Sequence, residues 1–505
     1  RPLGSGRMGK PVDDATGAVA ADPDEPATAW GARRARIRQR SNYRRLVLVT
    51  ALFGTAAGSY PVTVLSASLP QIADDLGARD DTIAWVLAAP LLAFAVVTPI
   101  VGKVGDLYGH RRTYLISFAL GALLAFATAL AWDTTSLIVL RTVAQAAKAA
   151  AGPSAMAMIL STFPRRERTR VLGTWAAVVA LSPALGVVTG GPLIEWIGWR
   201  ALFVVQGTTV LIALIGALFI VPETPRRTGV RFDLPGAATL GLGVGGLLLS
   251  INRGISWGWT HPVVLVAAVV APVGLAAFAR IEARSSAPLL PPALLHHRAF
   301  TRPMVAQAVL QAGYMGAMVM APFLLARRWG FQPTAIGLAM LPRPLSFAFF
   351  ARLGSHHDPR HGARRVAVTG MLVFALAMVV AGIGAYQRWL PVFLVGAMLS
   401  GAGSGYIRPT IANAVTSAAG DDDLGVAGGS MNMLQQIGAA VGITVLTALM
   451  GDAVDGGRFL TLHLVAAGAG IGAAVLATGM VDPLPGSSRR SVSTRDPGGP
   501  AGAQP

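Results

Sequence analysis

Residues 262–280 read PVVLVAAVVAPVGLAAFAR, and no charge interrupts the run before Arg280. A helix needs roughly 20 mostly apolar residues to cross a hydrocarbon core about 30 Å thick. No water is present there to satisfy a bare backbone, so only helices and closed barrels span it. The run is too long and too continuous for a barrel strand. Runs of the same kind recur on both sides of it, at 46–68, 82–102, 113–131, 136–160, 170–193, 201–221, 234–251, 262–280, 302–325, 334–352, 365–386, 390–414, 428–450 and 459–481. The expected fold is all-α, a membrane protein of 14 transmembrane helices.

Composition agrees. Apolar residues make up 53% of the chain and charged residues 13%, against about 25% charged in ordinary globular domains. A soluble globular class is excluded. The net charge of +18 does not point to nucleic acid, because the arginines gather in loops on one side of the expected spans, which is an orientation signal. With no cysteine in the chain, disulfides, thiolate metal sites and cysteine nucleophiles are excluded. No nucleophile–base pair or metal motif appears, so neither an enzyme nor a cofactor is expected. His356, His357 and His361 share a loop that lacks spaced carboxylates, and no metal site is expected there.

One set of alternating loops carries the N-terminal arginines, Lys103, Arg111 and Arg112, then Arg165, Arg166, Arg168 and Arg170, then Arg226, Arg227 and Arg231, then Arg280, Arg284, Arg298 and Arg302, then Arg360, Arg364 and Arg365. The other set carries single residues and the pair Arg327/Arg328. The positive-inside rule puts the first set and both termini in the cytoplasm, in a multi-pass protein of the cell membrane. Residues 1–45 are expected to be a disordered cytoplasmic tail, 46–221 a six-helix bundle, and 222–300 two linker helices with a cytoplasmic loop. A second six-helix bundle is expected over 301–482, then a second disordered tail over 483–505. A weak repeat supports two halves. GKVGDLYGHRR at 102–112 and RLGSHHDPRHGARR at 352–365 are both Gly/Asp/Gly/Arg loops after a second helix. Two related six-helix halves are a transporter architecture.

The loop around Asp106 resembles the first cytoplasmic signature of the major facilitator superfamily, Gly-x-Leu-Ala-Asp-Arg-x-Gly-Arg-Arg, at Gly102, Asp106, Gly109 and Arg111. It departs at Leu107 and His110. WRALF at 199–203, GFQP at 330–333 with Gly337, and the 425–442 stretch with Gln435 and Gln436 are similar to the 14-span drug:proton antiporter branch of that family. The resemblance implies gating roles for Gly102, Asp106, Gly109 and Arg111. Asp106 can face a helix N-terminus or an arginine across the gap between halves. Arg141 in span four matches the family pattern, which leaves an architectural role open for it. Gly186, Gly190 and Gly191 keep the close-packing positions of the antiporter signature in span five. The proton-carrying Asp usual in span one is replaced by Pro61, and the second Pro of the span-five signature by Val187. The usual proton carrier therefore has no carboxylate here.

By these boundaries no acidic residue lies at mid-membrane depth, whereas Arg141, Lys148, Arg343 and Arg408 do. A central Arg or Lys costs about 2.5–3.5 kcal/mol on insertion scales, so these four should face a watery cavity rather than lipid. Spans four and twelve are equivalent in the two halves, and aligning Pro153 with Pro409 brings Lys148 within about one turn of the equivalent of Arg408. A cation from each half can then clamp an anionic group. Arg343 lies between Pro342 and Pro344 and can instead bond loosened backbone carbonyls. Gln307, Gln311, Tyr314 and Met318 recur at helical spacing in span nine, as a cavity wall or as ordinary packing, and Gln435 in span thirteen can reach the cavity or bond between helices.

The expected function is secondary transport of amphipathic small molecules or drugs out of the cell, by rocking of two bundles around a cationic cavity that favours anionic substrates. The resemblance implies proton antiport, with Lys148 or a carboxylate on the substrate as the unusual carrier. An anion exchanger or facilitator without a proton step is the alternative, and a non-transporting membrane scaffold a third reading.

Overall fold

The structure, a computed structural model, describes residues 36–59, 61–164, 167, 171, 174–175, 178, 182, 186, 190–224, 233–285, 288–289, 292–419, 424–451 and 455–480. Of the expected tails, residues 1–35 and 483–505 lie outside the described residues, while Tyr43–Arg45, expected in the first tail, already belong to a helix. The loop arginines Arg165, Arg166, Arg168, Arg170, Arg226, Arg227 and Arg231, Val187 and the side chain of Pro61 also lie outside the described residues.

Every regular element among the described residues is a helix. The first half comprises α1 (Tyr43–Ser59), α2 (Pro61–Asp75), the short α3 (Asp80–Ile83), α4 (Trp85–Tyr108), α5 (His110–Ala129), α6 (Thr134–Lys148), α7 (Ala151–Thr162) and α8 (Arg200–Ile220). Two linker helices follow, α9 (Leu234–Trp257) and α10 (Pro262–Glu282), then the short α11 (Pro292–Leu295). The second half comprises α12 (Arg298–Trp329), α13 (Pro333–Met340), α14 (Pro342–His361), α15 (Ala363–Tyr386), α16 (Leu390–Ala419), α17 (Leu424–Met450) and α18 (Gly456–Thr478).

Eleven helices among the described residues are long and apolar enough to cross a membrane. The other three expected spans fall where the chain is broken or only partly described. The stretch 46–68 is divided between α1 and α2 just before Pro61, and 136–160 between α6 and α7 by a turn at Ala149–Ala150. Proline fits most easily in a first helical turn, because it brings no N–H to the ladder, and here Pro61 and Pro153 stand in the first turns of α2 and α7. The same rule separates α13 from α14 at Leu341, before Pro342, Arg343 and Pro344.

In the first half α5 packs on α6 and α8, α4 on α6, and α1 on α8; in the second, α15 packs on α16 and α18, and α12 on α17 and α18. Small residues let the backbones approach in α14 and α16: a Cβ on Gly354 would strike the Tyr406 carbonyl, and one on Gly405 the Phe347 carbonyl. The halves meet where α2 packs on α12 and α13 and where α4 packs on α17, and α9 lies against both α4 and α17. One apolar core runs through these contacts, from Leu69 and Ile72 on α2 to Phe323 on α12 and Ile443 on α17.

Candidate functional site

The break before α14 puts Arg343 beside α12. Its Nη2 donates to the Tyr314 carbonyl at 2.6 Å, its guanidinium stands 4.0 Å from the centre of the Tyr314 ring, and its side chain is 4% exposed. A carbonyl and a π face together replace much of the lost hydration. The carbonyl belongs to a neighbouring helix, not to the loosened turn. Arg408, in the middle of α16, is different. It is exposed although Ile407, Thr410 and Ile411 around it are fully buried, and it has no hydrogen-bond or ion-pair partner among the described residues. Gly403 and Ile407 face α15 through Gly370. Arg408 is on another face, the one that carries Gly401 against Arg343. The structure thus gathers Tyr314, Arg343 and Arg408 on one wall of the second half, with Phe347 and Phe374 at 6.2 and 6.4 Å from the Tyr314 ring.

Lys148 is not brought to Arg408. It ends α6 on a face turned into the first half, where its stem lies over Gly121 of α5, 2.6 Å from where a Cβ would stand, with Val210 of α8 beyond. Arg141, on the same face two turns earlier, lies 5.6 Å from the Phe203 ring of α8. The sequence alignment through Pro153 sets depth but not azimuth, and azimuth decides whether a side chain faces the partner half.

Gln307, Gln311 and Gln435 are 2%, 8% and 4% exposed, and Gln307 Oε1 has no partner. Tyr314 is half-buried. The α12 stripe is therefore mostly packing, with Tyr314 its open member. A groove of about 460 Å³ between α9 and α10, lined by Gly241, Gly245, Val263 and Val266, is apolar throughout and offers no group that would orient a polar ligand.

The Asp106 loop is fastened within its own half. His110 Nε2 meets Asp106 Oδ1 at 3.2 Å, the His110 amide donates to Thr224 Oγ1 at 3.1 Å, and Arg111 donates to the Leu218 carbonyl at 3.0 Å. Asp106 thus pairs with the first residue of α5. Gly109 has φ +95°, which favours glycine, and a Cβ there would strike the Glu223 carboxylate. Gly102 stands apart: a Cβ there would meet only Pro153 Cβ, at 4.0 Å.

Contacts across the halves are explicit at the opposite end of the helices. Arg327 on α12 donates to Asp74 on α2 at 2.8 Å and to Asp80 on α3 at 3.1 Å. The Thr334 amide on α13 donates to Glu195 at 2.8 Å. Gly191 makes this approach feasible, since a Cβ there would lie 2.5 Å from Thr334 Cα; Gly190 meets Val64 in the same way within the first half, and Gly186 is buried. Sequence reasoning missed Arg327, Asp74, Asp80 and Glu195. The available signal was an arginine pair in an otherwise arginine-poor set of loops, opposite acids at positions 74, 75, 80 and 81.

The chain is similar to proteins already known. The puromycin resistance protein pur8 of Streptomyces alboniger is 31% identical over 399 residues, 77% of this chain and 78% of its own length. The multidrug resistance protein Stp of Mycobacterium tuberculosis is 28% identical over 388 residues, 77% of this chain and 72% of its own. The crystal structure of a bacterial homologue of the human lysosomal transporter Spinster, inward-facing and unoccupied, matches the fold with a TM-score of 0.64 at 14% identity, over 87% of this chain and 97% of that one. The family model of the Major Facilitator Superfamily matches residues 46–303 and 303–503. With nearly the whole membrane region matched, the chain is a multi-pass membrane transporter that belongs to the major facilitator superfamily.

Proposed function

We propose that the chain is a fourteen-span exporter of small amphipathic molecules in the cell membrane, with both termini in the cytoplasm, and that anionic compounds are its preferred cargo. Resistance and export relatives support the drug-export part. Arg408 carries the anionic part. An open cation beside a half-buried tyrosine, inside a helix otherwise packed on both sides, offers a charged contact for a head group and an aromatic surface for an apolar body. Arg343 holds Tyr314 in place and has its own partner, so it positions the wall and does not grip the cargo. Alternating access has a natural partition: the Arg327 and Glu195 contacts join the halves at one end, and they must part for that end to open.

The test is export of matched anionic and cationic amphiphiles from cells or inverted vesicles. Arg408→Gln should reduce anion export at least tenfold and leave cation export and expression unchanged. Equal loss of both classes, or full retention of anion export, refutes the reading.

A second reading is favoured by one observation. Among the described residues no carboxylate lies at mid-membrane depth, which leaves proton antiport without its usual carrier. An anion exchanger or facilitator needs no such group. Transport in proteoliposomes that ignores an imposed pH gradient would select it; transport driven by the gradient would select the antiporter.

A further inference from the structure

Three hydrogen-bond donors lie in a seam between α6 and α8, and among the described residues no carboxylate meets them. Arg141 is 4% exposed, Lys148 8% and Gln206 2%. None has a hydrogen-bond acceptor among the described residues, and Arg141 Nε is buried without a partner. Their placement is in register. Arg141 faces Phe203 and Lys148 faces Val210 through Gly121, while Gln206 lies on the same α8 face between Phe203 and Val210 by the i, i+3, i+7 spacing. The first half's carboxylates at the ends of α3, α4 and α6 are engaged elsewhere. Asp80 bonds Arg327, Asp81 lies 3.3 Å from Arg79, Asp133 accepts from the Ser136 amide, and Asp106 meets His110.

Two neighbouring positive groups enclosed by helices, with no internal counter-charge among the described residues, are relieved either by loss of the lysine proton or by a counter-charge from outside the chain. The Phe203 face supplies part of the compensation for Arg141. Among the described residues no hydrogen-bond or ion-pair partner supplies it for Lys148. Seven residues are about 10.5 Å along a helix, so one ion cannot touch both cationic heads unless they bend together. It can sit at Lys148, take a donor from the Gln206 carboxamide, and feel the field of Arg141.

We propose that the first half holds a small monovalent inorganic anion, of chloride size, at Lys148 and Gln206, separate from the Arg408 wall. A monatomic ion is the smallest counter-charge, and so the one that side chains only 8% and 2% exposed admit most readily. The role is structural: the ion neutralises the seam and lets α5, α6 and α8 pack around it. Gly121 is part of the device, because any side chain there would displace the Lys148 stem.

The test uses the purified full chain in detergent. Sodium gluconate is replaced stepwise by sodium chloride, then in a second series by sodium bromide, at constant ionic strength, and Tm is followed by intrinsic fluorescence. Gluconate is too large for the seam. The wild type should show an upward Tm shift that saturates with halide. Lys148→Met and Gln206→Leu should lose the shift, and Arg408→Gln should keep it. If Lys148→Met does not fold, Gln206→Leu carries the comparison. A wild-type Tm that stays flat, a shift that survives in Gln206→Leu, or a shift lost in Arg408→Gln would each overturn the proposal.

Discussion

Replacing Arg327 with Gln should unlatch the end of the molecule at which the halves are joined by charge. Arg327 reaches Asp74 at 2.8 Å and Asp80 at 3.1 Å. The arginine and Asp74 side chains are 32% and 60% exposed, so solvent screens that pair and it contributes about 0.2–1 kcal/mol. Asp80 is only 13% exposed, and its charge-assisted bond belongs to a class worth roughly 1.5–3 kcal/mol, taken at the low end because Arg327 is itself 32% exposed. Taken together at about 2 kcal/mol, with 1.4 kcal/mol per factor of ten, the substitution should lower the ratio of latched to unlatched molecules roughly thirtyfold. High salt should narrow that difference in the wild type, because the Debye length drops to about 3 Å at 1 M.

The assay exploits the absence of cysteine from the chain. Thr334→Cys creates a single thiol at the junction, where the native hydroxyl is buried and unpartnered. Its maleimide labelling rate should rise at least fivefold when Arg327→Gln is added. Arg328→Gln is the control, since Arg328 donates to the Tyr386 carbonyl within its own half, and it should leave the rate unchanged. Labelling that is equal with and without Arg327, or equally raised by the Arg328 control, would refute the latch.

Gly191→Val should raise Thr334→Cys labelling as well, because a side chain at Gly191 must displace the Thr334 backbone; an unchanged rate would show that α13 yields without parting the halves. Arg343→Met should lower Tm, since it removes a hydrogen bond from a charged group, worth about 1.5–3 kcal/mol, and the cation–ring contact with Tyr314; an unchanged melting curve would contradict that. Asp133 caps α6 by accepting the Ser136 amide, and that bond holds its carboxylate below the usual range. Its stabilisation is therefore present above the unfolded-chain pKa and lost as pH falls through the lowered native value. Asp133→Ala should melt below the wild type at neutral pH, with the gap closing in acid; a gap that widens on acidification would reverse the sign of the argument.

The apolar runs were legible because lipid imposes one rule on every span, and eleven of them appear as helices of sufficient length. Breaks inside spans were only partly legible. Pro342 and Pro344 announce the interruption at Leu341, but the partner that Arg343 finds, the Tyr314 carbonyl 29 residues away, depends on how α14 leans on α12. The Arg327 latch joins positions 247 and 253 residues apart, and no local pattern encodes such a pairing. Lys148 shows the same limit. Its depth follows from the alignment of the halves, but its azimuth follows from Gly121, whose missing side chain gives the lysine stem a groove on α5.

The four intramembrane cations have four different environments, and that changes the electrostatic argument for cargo. Summed as bare charges they would cost on the order of 10 kcal/mol to insert, a figure that invites the conclusion that all four serve one anion site. The structure divides them. Arg343 has a carbonyl and a ring, and Arg141 has the face of Phe203. Lys148 is closed between helices of the first half. Arg408 alone is both open and unpartnered among the described residues. The proposed preference for negative cargo therefore rests on a single guanidinium and not on a clamp between halves. Such a contact moves with the second half and can hold the cargo in both access states, whereas a clamp would have to break in one of them. A substrate held by one half also needs no matching cation in the other, which is consistent with Lys148 facing away.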